Sequence, residues 1–165
     1  MKTLLTPHQI RAGVLSITEK LMTRHNPTTP IVMIGVMRGG FMFYNDLVRE
    51  MQNYNVICDF VNCKSYDGVE NTGFKMLLDS RVDVTDKHVY LVDDILDSGI
   101  TYEYLKVHYE YKNARSVEGI FALKKYNEKY KWTLNVFESW RMSQTVPPPF
   151  LYEMTKDEMA HSRIR

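Results

Sequence analysis

The chain has 165 residues, of which 44% are hydrophobic, and its 21 basic and 20 acidic side chains nearly cancel. This length predicts one domain over residues 1–165 with a sizeable core. The balanced charge gives no basic surface for nucleic acid, and no apolar run reaches the ~18 residues that a membrane span needs. The apolar stretch near the N-terminus is too short for a secretory signal.

An amphipathic helix is predicted first. Thr6 and Pro7 are a hydroxyl N-cap and a first-turn proline, and apolar residues then recur at helical spacing until Asn26-Pro27. We assign this helix no chemistry. The apolar run at residues 31–36 (IVMIGV) is typical of a strand buried on both faces.

The residues after this strand can bind an anion. The strand is joined to a predicted helix beginning at Phe41 by Met37, Arg38, Gly39 and Gly40. Backbone amides and a guanidinium beside a helix N-terminus suit an anion. A plain glycine turn explains these residues equally well when they are taken alone.

Two more strands are predicted at residues 56–63 and 74–78, separated by a polar stretch that contains Ser65 and Tyr66. Taken alone, that stretch predicts a hairpin loop. Cys58 and Cys63 are five positions apart on the first of these strands, so they should face opposite sides. Reduced thiols, and hence a cytoplasmic location, are therefore expected.

The stretch at residues 89–101 (VYLVDDILDSGIT) combines an apolar strand with a polar turn. Asp93 and Asp94 are expected where the strand ends, and a loop of residues 97–101 leads to a helix at 102–111. Hydroxyls and backbone N–H groups before a helix suit a phosphate. Two carboxylates suit a sugar diol or a divalent cation.

The last strands are predicted at residues 117–123 and 133–137. Lys124 and Lys125 follow the first of them. A lysine at the carboxyl edge of an open α/β sheet can point into a ligand site, although solvated surface lysines are common. Alternating strands and helices from residue 31 to 125 predict a parallel α/β sheet.

Residues 89–101 resemble the PRPP-binding motif of type I phosphoribosyltransferases, position by position. The resemblance covers about residues 8–125 and is greatest with the hypoxanthine/guanine (6-oxopurine) enzymes. It implies a twisted, mainly parallel sheet flanked by helices, with a core over about residues 8–125. It also implies a small hood from the N-terminal segment and about residues 126–165.

The resemblance also implies the activity: transfer of 5-phosphoribosyl from PRPP to hypoxanthine, guanine or xanthine, with Mg²⁺ as cofactor. PRPP, a purine base and the nucleotide are the expected ligands, without nucleic acid or membrane. A homodimer or homotetramer is expected.

The resemblance implies a role for each site residue. The 5-phosphate is held by Asp97, Ser98, Gly99, Ile100 and Thr101, and Asp97 is also the catalytic base. Asp93 and Asp94 bind the ribose and the metal. Residues Met37 to Gly40 form the pyrophosphate loop, in which the Met37–Arg38 peptide is expected to be cis. Ser65 and Tyr66 open a lid.

The purine half of the site is less defined. Lys124 is expected to reach the exocyclic oxygen of the base, and Phe150 to stack on it, with Glu153 near magnesium. Trp140 or Tyr152 could stack instead, and these aromatics could simply cover a sheet edge. Two other functions stay open: a phosphoribosyltransferase for a different base, and a PRPP-sensing regulator of the same fold.

Overall fold

The computed structural model describes residues 6–66, 73–97, 99–126 and 131–138, with backbone only at 65–66, 73, 125–126 and 131–138. The helices are α1 (Pro7–Arg24), α2 (Phe41–Glu50) and α3 (Ile100–Tyr111). The strands are β1 (Ile31–Met37), β2 (Val56–Tyr66), β3 (Gly73–Leu78), β4 (His88–Leu96), β5 (Ser116–Tyr126) and β6 (Lys131–Glu138).

The six strands form one sheet in the order β3-β2-β1-β4-β5-β6. The four central strands are parallel, and the edge strands β3 and β6 are antiparallel to their neighbours. The predicted mainly parallel α/β sheet is therefore confirmed. All four parallel strands end at the same edge, which places the connections after β1 and β4 beside each other.

The helices cover the two faces of the sheet. Alternate residues of β1 point to opposite faces: Val32 and Ile34 pack in the cluster that contains the buried face of α3. Ile31 and Met33 pack in the cluster that contains α1 and α2. Both faces of β1 are buried, which explains why its sequence is continuously apolar.

Local sequence signals set the first helix. Thr6 and Gln9 form a reciprocal capping box, and Pro7 occupies the first turn, so α1 begins where predicted. β6 pairs with β5 in the main sheet. Residues 131–138, which the resemblance places in the hood, therefore extend this sheet at its edge. A hood from the remaining chain ends stays a prediction, since residues 1–5 and 139–165 lie outside the described part.

Cys58 and Cys63 are both free thiols, as predicted. Within the described residues, none of the helices combines the length and apolar character that a bilayer crossing requires.

Candidate active site

Two loops meet at the carboxyl edge of the sheet because β1 and β4 are parallel neighbours. The approach is close: a Cβ atom on Gly40 would lie 2.9 Å from the Cα atom of Asp93. A Cβ atom on Gly39 would lie 3.0 Å from Oδ1 of Asp94. The predicted pyrophosphate loop and the acidic pair are therefore in contact, and a side chain at position 40 would push them apart.

The first loop, residues 37–40, presents groups that suit an anion. The Met37–Arg38 peptide bond is cis, as the resemblance implied. Arg38 is exposed, and Gly40 precedes α2 without providing a side-chain cap for the helix. An exposed guanidinium beside uncapped N–H groups can neutralise and orient an anion.

The acidic pair lies within β4 and not beyond its end. The sequence predicted that the strand would stop before Asp93, but β4 continues to Leu96. The reason is non-local: β5 extends equally far and pairs Phe121 with Asp93 and Lys124 with Leu96. Backbone pairing with a neighbouring strand thus outweighs the polarity of the two carboxylates.

Asp93 is a half-buried carboxyl group whose Oδ1 accepts the backbone N–H of Asp94 at 2.9 Å. Burial, reinforced by the charge of Asp94, raises the pKa of Asp93 to about 8. Burial and then the charge of Asp93 also raise the pKa of the Cys63 thiol to about 11. A cation or a hydroxyl donor would stabilise the ionised pair and so displace the proton.

The second loop turns through a left-handed residue. Gly99 has φ 79° and is the N-cap of α3, a conformation that glycine adopts without steric cost. The sequence predicted Ile100 and Thr101 in the loop, but they form the first turn of α3. The N–H of Glu103 donates to the Gly99 carbonyl at 2.9 Å and so closes that turn early. N–H groups at the start of a helix suit an anion.

One pocket joins Asp93 with the phosphate loop. Its volume is about 80 Å³, and it is lined by Asp93, Ile95, Leu96, Asp97, Gly99, Thr101, Tyr102 and Phe121. Asp97 is exposed and Thr101 is half-buried. Carboxylates and an anion-binding helix start therefore border the same cavity, as a ligand with a phosphate near its hydroxyl groups requires.

Lys124 lies at the level of this loop because its backbone pairs with Leu96. It is half-buried. The sequence placed it at the end of its strand, but β5 continues to Tyr126 because β6 pairs with it there. The lysine thus lies within a strand on the neighbour of β4, close to the candidate site.

The remaining predicted site residues are described partly or not at all. Ser65 and Tyr66 end β2, and their backbones pair with Phe74 and Gly73. This antiparallel pairing is a hairpin stem, and residues 67–72 lie outside the described part. So do Ser98, Phe150 and Glu153, as well as the alternatives Trp140 and Tyr152.

Sequence reasoning missed the apolar part of the pocket. Tyr102 and Phe121 line it, with ring centroids 5.6 Å apart and an edge-to-face geometry. Alternation along β5 could have placed Phe121 on the α3 side. Its contact with the pocket depends on the β4–β5 register, which no local signal encodes.

The chain was compared with families of known proteins and with solved structures. A family model described as the phosphoribosyl transferase domain matches residues 2–145. A hypoxanthine-guanine phosphoribosyltransferase of Aquifex aeolicus is 35% identical over 103 residues, which are 61% of this chain and 57% of that protein. The match thus spans a little over half the length of that relative.

Solved structures of similar fold belong to the same family. A hypoxanthine-guanine phosphoribosyltransferase from Bacillus anthracis superimposes with a TM-score of 0.70 at 30% identity, covering 81% of this chain and 77% of that one. A hypoxanthine phosphoribosyltransferase from Trypanosoma cruzi, in complex with IMP, superimposes with a TM-score of 0.64 at 30% identity, covering 74% and 70%. From the family match and the shared fold, this chain belongs to the phosphoribosyl transferase domain family.

Proposed function

We propose that this chain transfers the 5-phosphoribosyl group of PRPP to a ring nitrogen of a 6-oxopurine and releases pyrophosphate. The observation that carries the proposal is the shared pocket, which Asp93 lines together with Asp97, Gly99 and Thr101. PRPP has a phosphate separated from a diol by one sugar ring, and this pocket offers a group for each.

The donor is bound by anion-binding groups at its phosphates and by carboxylates at its ribose. N–H groups at the start of α3 and the Thr101 hydroxyl hold the 5-phosphate. Asp93 and Asp94 accept hydrogen bonds from the ribose hydroxyls, and their negative charge stabilises a positively charged sugar ring as the bond to pyrophosphate breaks. Arg38 neutralises the departing pyrophosphate, and the amide of Gly39 donates a hydrogen bond to it.

The acidic pair also fits Mg²⁺. Within the described residues, no three metal-binding side chains are close enough to form a site by themselves. Magnesium needs no such cage, since it is commonly held by one or two carboxylates together with substrate oxygens. Asp93 and Asp94 would hold it, with Glu153 a further predicted ligand. Bound Mg²⁺ supplies positive charge to the pyrophosphate leaving group.

The acceptor base is bound by a different set of residues. Asp97 takes the proton from the ring nitrogen while that nitrogen forms its bond to C1 of the ribose. Lys124 orients the base through its exocyclic oxygen, and Phe150 stacks on it. Ser65 and Tyr66 begin the segment that excludes water from the reacting centre.

The named relatives support purines as the acceptors, since they are hypoxanthine-guanine phosphoribosyltransferases. A panel of bases, incubated with PRPP and Mg²⁺ and analysed for nucleotide, tests the acceptor directly. Product from hypoxanthine, guanine or xanthine is expected. Product from a pyrimidine alone would favour a different transferase, and tight PRPP binding without any product would favour a regulator.

The general base is tested by Asp97→Asn. Turnover should fall by roughly 10²–10⁴-fold because the amide cannot accept the proton. The dissociation constant for PRPP, measured by calorimetry, should change little. Asp46→Asn, which removes an exposed carboxylate from α2, is the matched control. Unchanged turnover in the Asp97 variant would refute this assignment.

Two further proposals concern the setting of the enzyme. The free thiols of Cys58 and Cys63 support a reducing, cytoplasmic location. Assembly into a homodimer or homotetramer is proposed from the family resemblance. Light scattering on the purified chain measures the assembly directly.

A further inference from the structure

We propose that a stacked pair of rings, Phe74 and Tyr104, positions the β2–β3 hairpin beside the transfer site. The proposal rests on the function proposed above, and it assigns a positioning role to two residues that contact neither donor nor base. Phe74 lies on β3, and Tyr104 lies on α3 one turn after the residues that border the phosphate loop.

The hairpin extends beyond the rest of the sheet. β1 pairs with β2 only as far as Met37 and Asn62, whereas β2 continues to Tyr66. Residues 63–66 therefore extend past β1 at the carboxyl edge, where both ligand loops lie. Their backbone partner is β3. A two-stranded ribbon is only marginally stable by itself, so side-chain contacts decide where it lies.

The stacked rings join this extension to α3. Phe74 pairs directly with Ser65 of β2, so its ring marks the outer part of the hairpin stem. The ring centroids of Phe74 and Tyr104 are 4.7 Å apart and the planes differ by 5°. Tyr104 is nevertheless 53% exposed. Tyr104 therefore adds little to the buried core and lies against the hairpin.

A second contact fixes the other end of β3 to the same helix. The carboxylate of Asp79 interacts with His108 Nε2 at 3.0 Å, and it accepts hydrogen bonds from Tyr109 Oη at 3.2 Å and Lys112 Nζ at 2.5 Å. Contacts with α3 are thus made near the start of β3 and by the residue that follows its end. The aromatic contact is the one near the ligand loops.

This arrangement predicts which kinetic constant the stack controls. Tyr104 does not line the pocket that the phosphate loop borders, so donor affinity should stay the same. The end of β2 beside the reacting centre does depend on it. Loss of the stack should therefore lower kcat and leave KM for PRPP and the affinity for ribose 5-phosphate nearly unchanged.

The test compares variants of the full chain. Tyr104→Ala and Phe74→Ala should each lower kcat by roughly 3- to 10-fold, the factor that corresponds to the coupling of an aromatic pair. Phe74 also packs against the core, so the double variant should lower kcat no further than Phe74→Ala does, because that variant has already lost the stack. Tyr104→Phe keeps the ring and should retain kcat within about twofold.

Val107→Ala is the matched control. Val107 is an apolar residue on the outer face of α3 and is 62% exposed. Its truncation should leave kcat within about twofold of the wild type. Equal losses in the Tyr104→Ala and Val107→Ala variants would overturn the proposal, and so would a weakened affinity for ribose 5-phosphate that accounts for the loss in Tyr104→Ala.

Hydrogen exchange separates this proposal from the proposed function. Amides of β3 should exchange faster in Tyr104→Ala than in Val107→Ala, whether or not any base is converted to nucleotide. Absence of product from every base in the wild type would refute the transferase. Equal exchange in the two variants would refute the positioning role.

Discussion

Replacing Asp93 with asparagine should remove a pH dependence of stability that the acidic pair creates. The pKa of this carboxyl is raised from 3.8 to about 8, first by burial and then by the charge of Asp94. Between these two values the folded chain binds a proton that the unfolded chain has released. The free energy of unfolding therefore falls as pH rises, by about 1.4 kcal/mol per pH unit.

The magnitude is measurable in thermal unfolding. For a domain of this size, 1 kcal/mol corresponds to roughly 2–4 °C in Tm. Between about pH 5.5 and 7.5, the wild-type Tm should therefore fall by roughly 5–11 °C relative to that of Asp93→Asn. The amide oxygen can still accept the N–H of Asp94, so the local hydrogen bond is kept.

The assay is the difference in Tm between wild type and variant, recorded in chelator without ligand across this pH range. Taking the difference cancels the titrating groups that do not interact with Asp93. Asp46→Asn, on the exposed side of α2, should give a difference that does not vary with pH. A wild-type minus Asp93→Asn difference that is equally flat would refute the reasoning.

Two further perturbations test other parts of the structure. Gly40→Ala should lower the free energy of unfolding by about 1–3 kcal/mol and weaken PRPP binding in calorimetry, because the new Cβ would lie 2.9 Å from the Cα atom of Asp93. Unchanged PRPP binding would contradict the contact between the two loops. The rings of His25 and His88 lie 5.0 Å apart, and burial lowers the pKa of both. Below about pH 6.5 the unfolded chain therefore binds protons that the folded chain does not, so the free energy of unfolding should decrease as the pH drops below that value. His25→Gln should reduce the decrease of Tm below pH 6.5, and an unchanged decrease would contradict this prediction.

Much of the fold was predictable because its signals are local. Residues 31–36 are continuously apolar, which requires burial on both faces, and β1 is the buried strand expected there. The hydroxyl and proline at positions 6 and 7 mark the start of α1 by satisfying or removing first-turn N–H groups. Periodicity then distinguishes helix from strand without any knowledge of neighbours.

The features that were mispredicted depend on distant residues. The length of β4 beyond Asp93 is set by how far β5 extends beside it. The raised pKa of Asp93 likewise follows from burial by residues far away in the sequence. The start of α3 at Ile100 is the exception, because the left-handed turn at the adjacent Gly99 sets it. The motif therefore locates the site, but its electrostatics require the fold.

The anion-binding residues and the acidic pair of the candidate site favour ligands of opposite charge. A helix start and Arg38 favour anions, whereas Asp93 and Asp94 disfavour them, and within about 10 Å such charges interact strongly. The unliganded chain reduces this conflict by keeping a proton on Asp93 up to about pH 8. A donor that arrives with Mg²⁺ provides phosphate for the helix and positive charge for the carboxylates. Binding should then release a proton, and calorimetry in buffers of different ionisation enthalpy would measure it. Without that release, the acidic pair would not be the group that receives the cation.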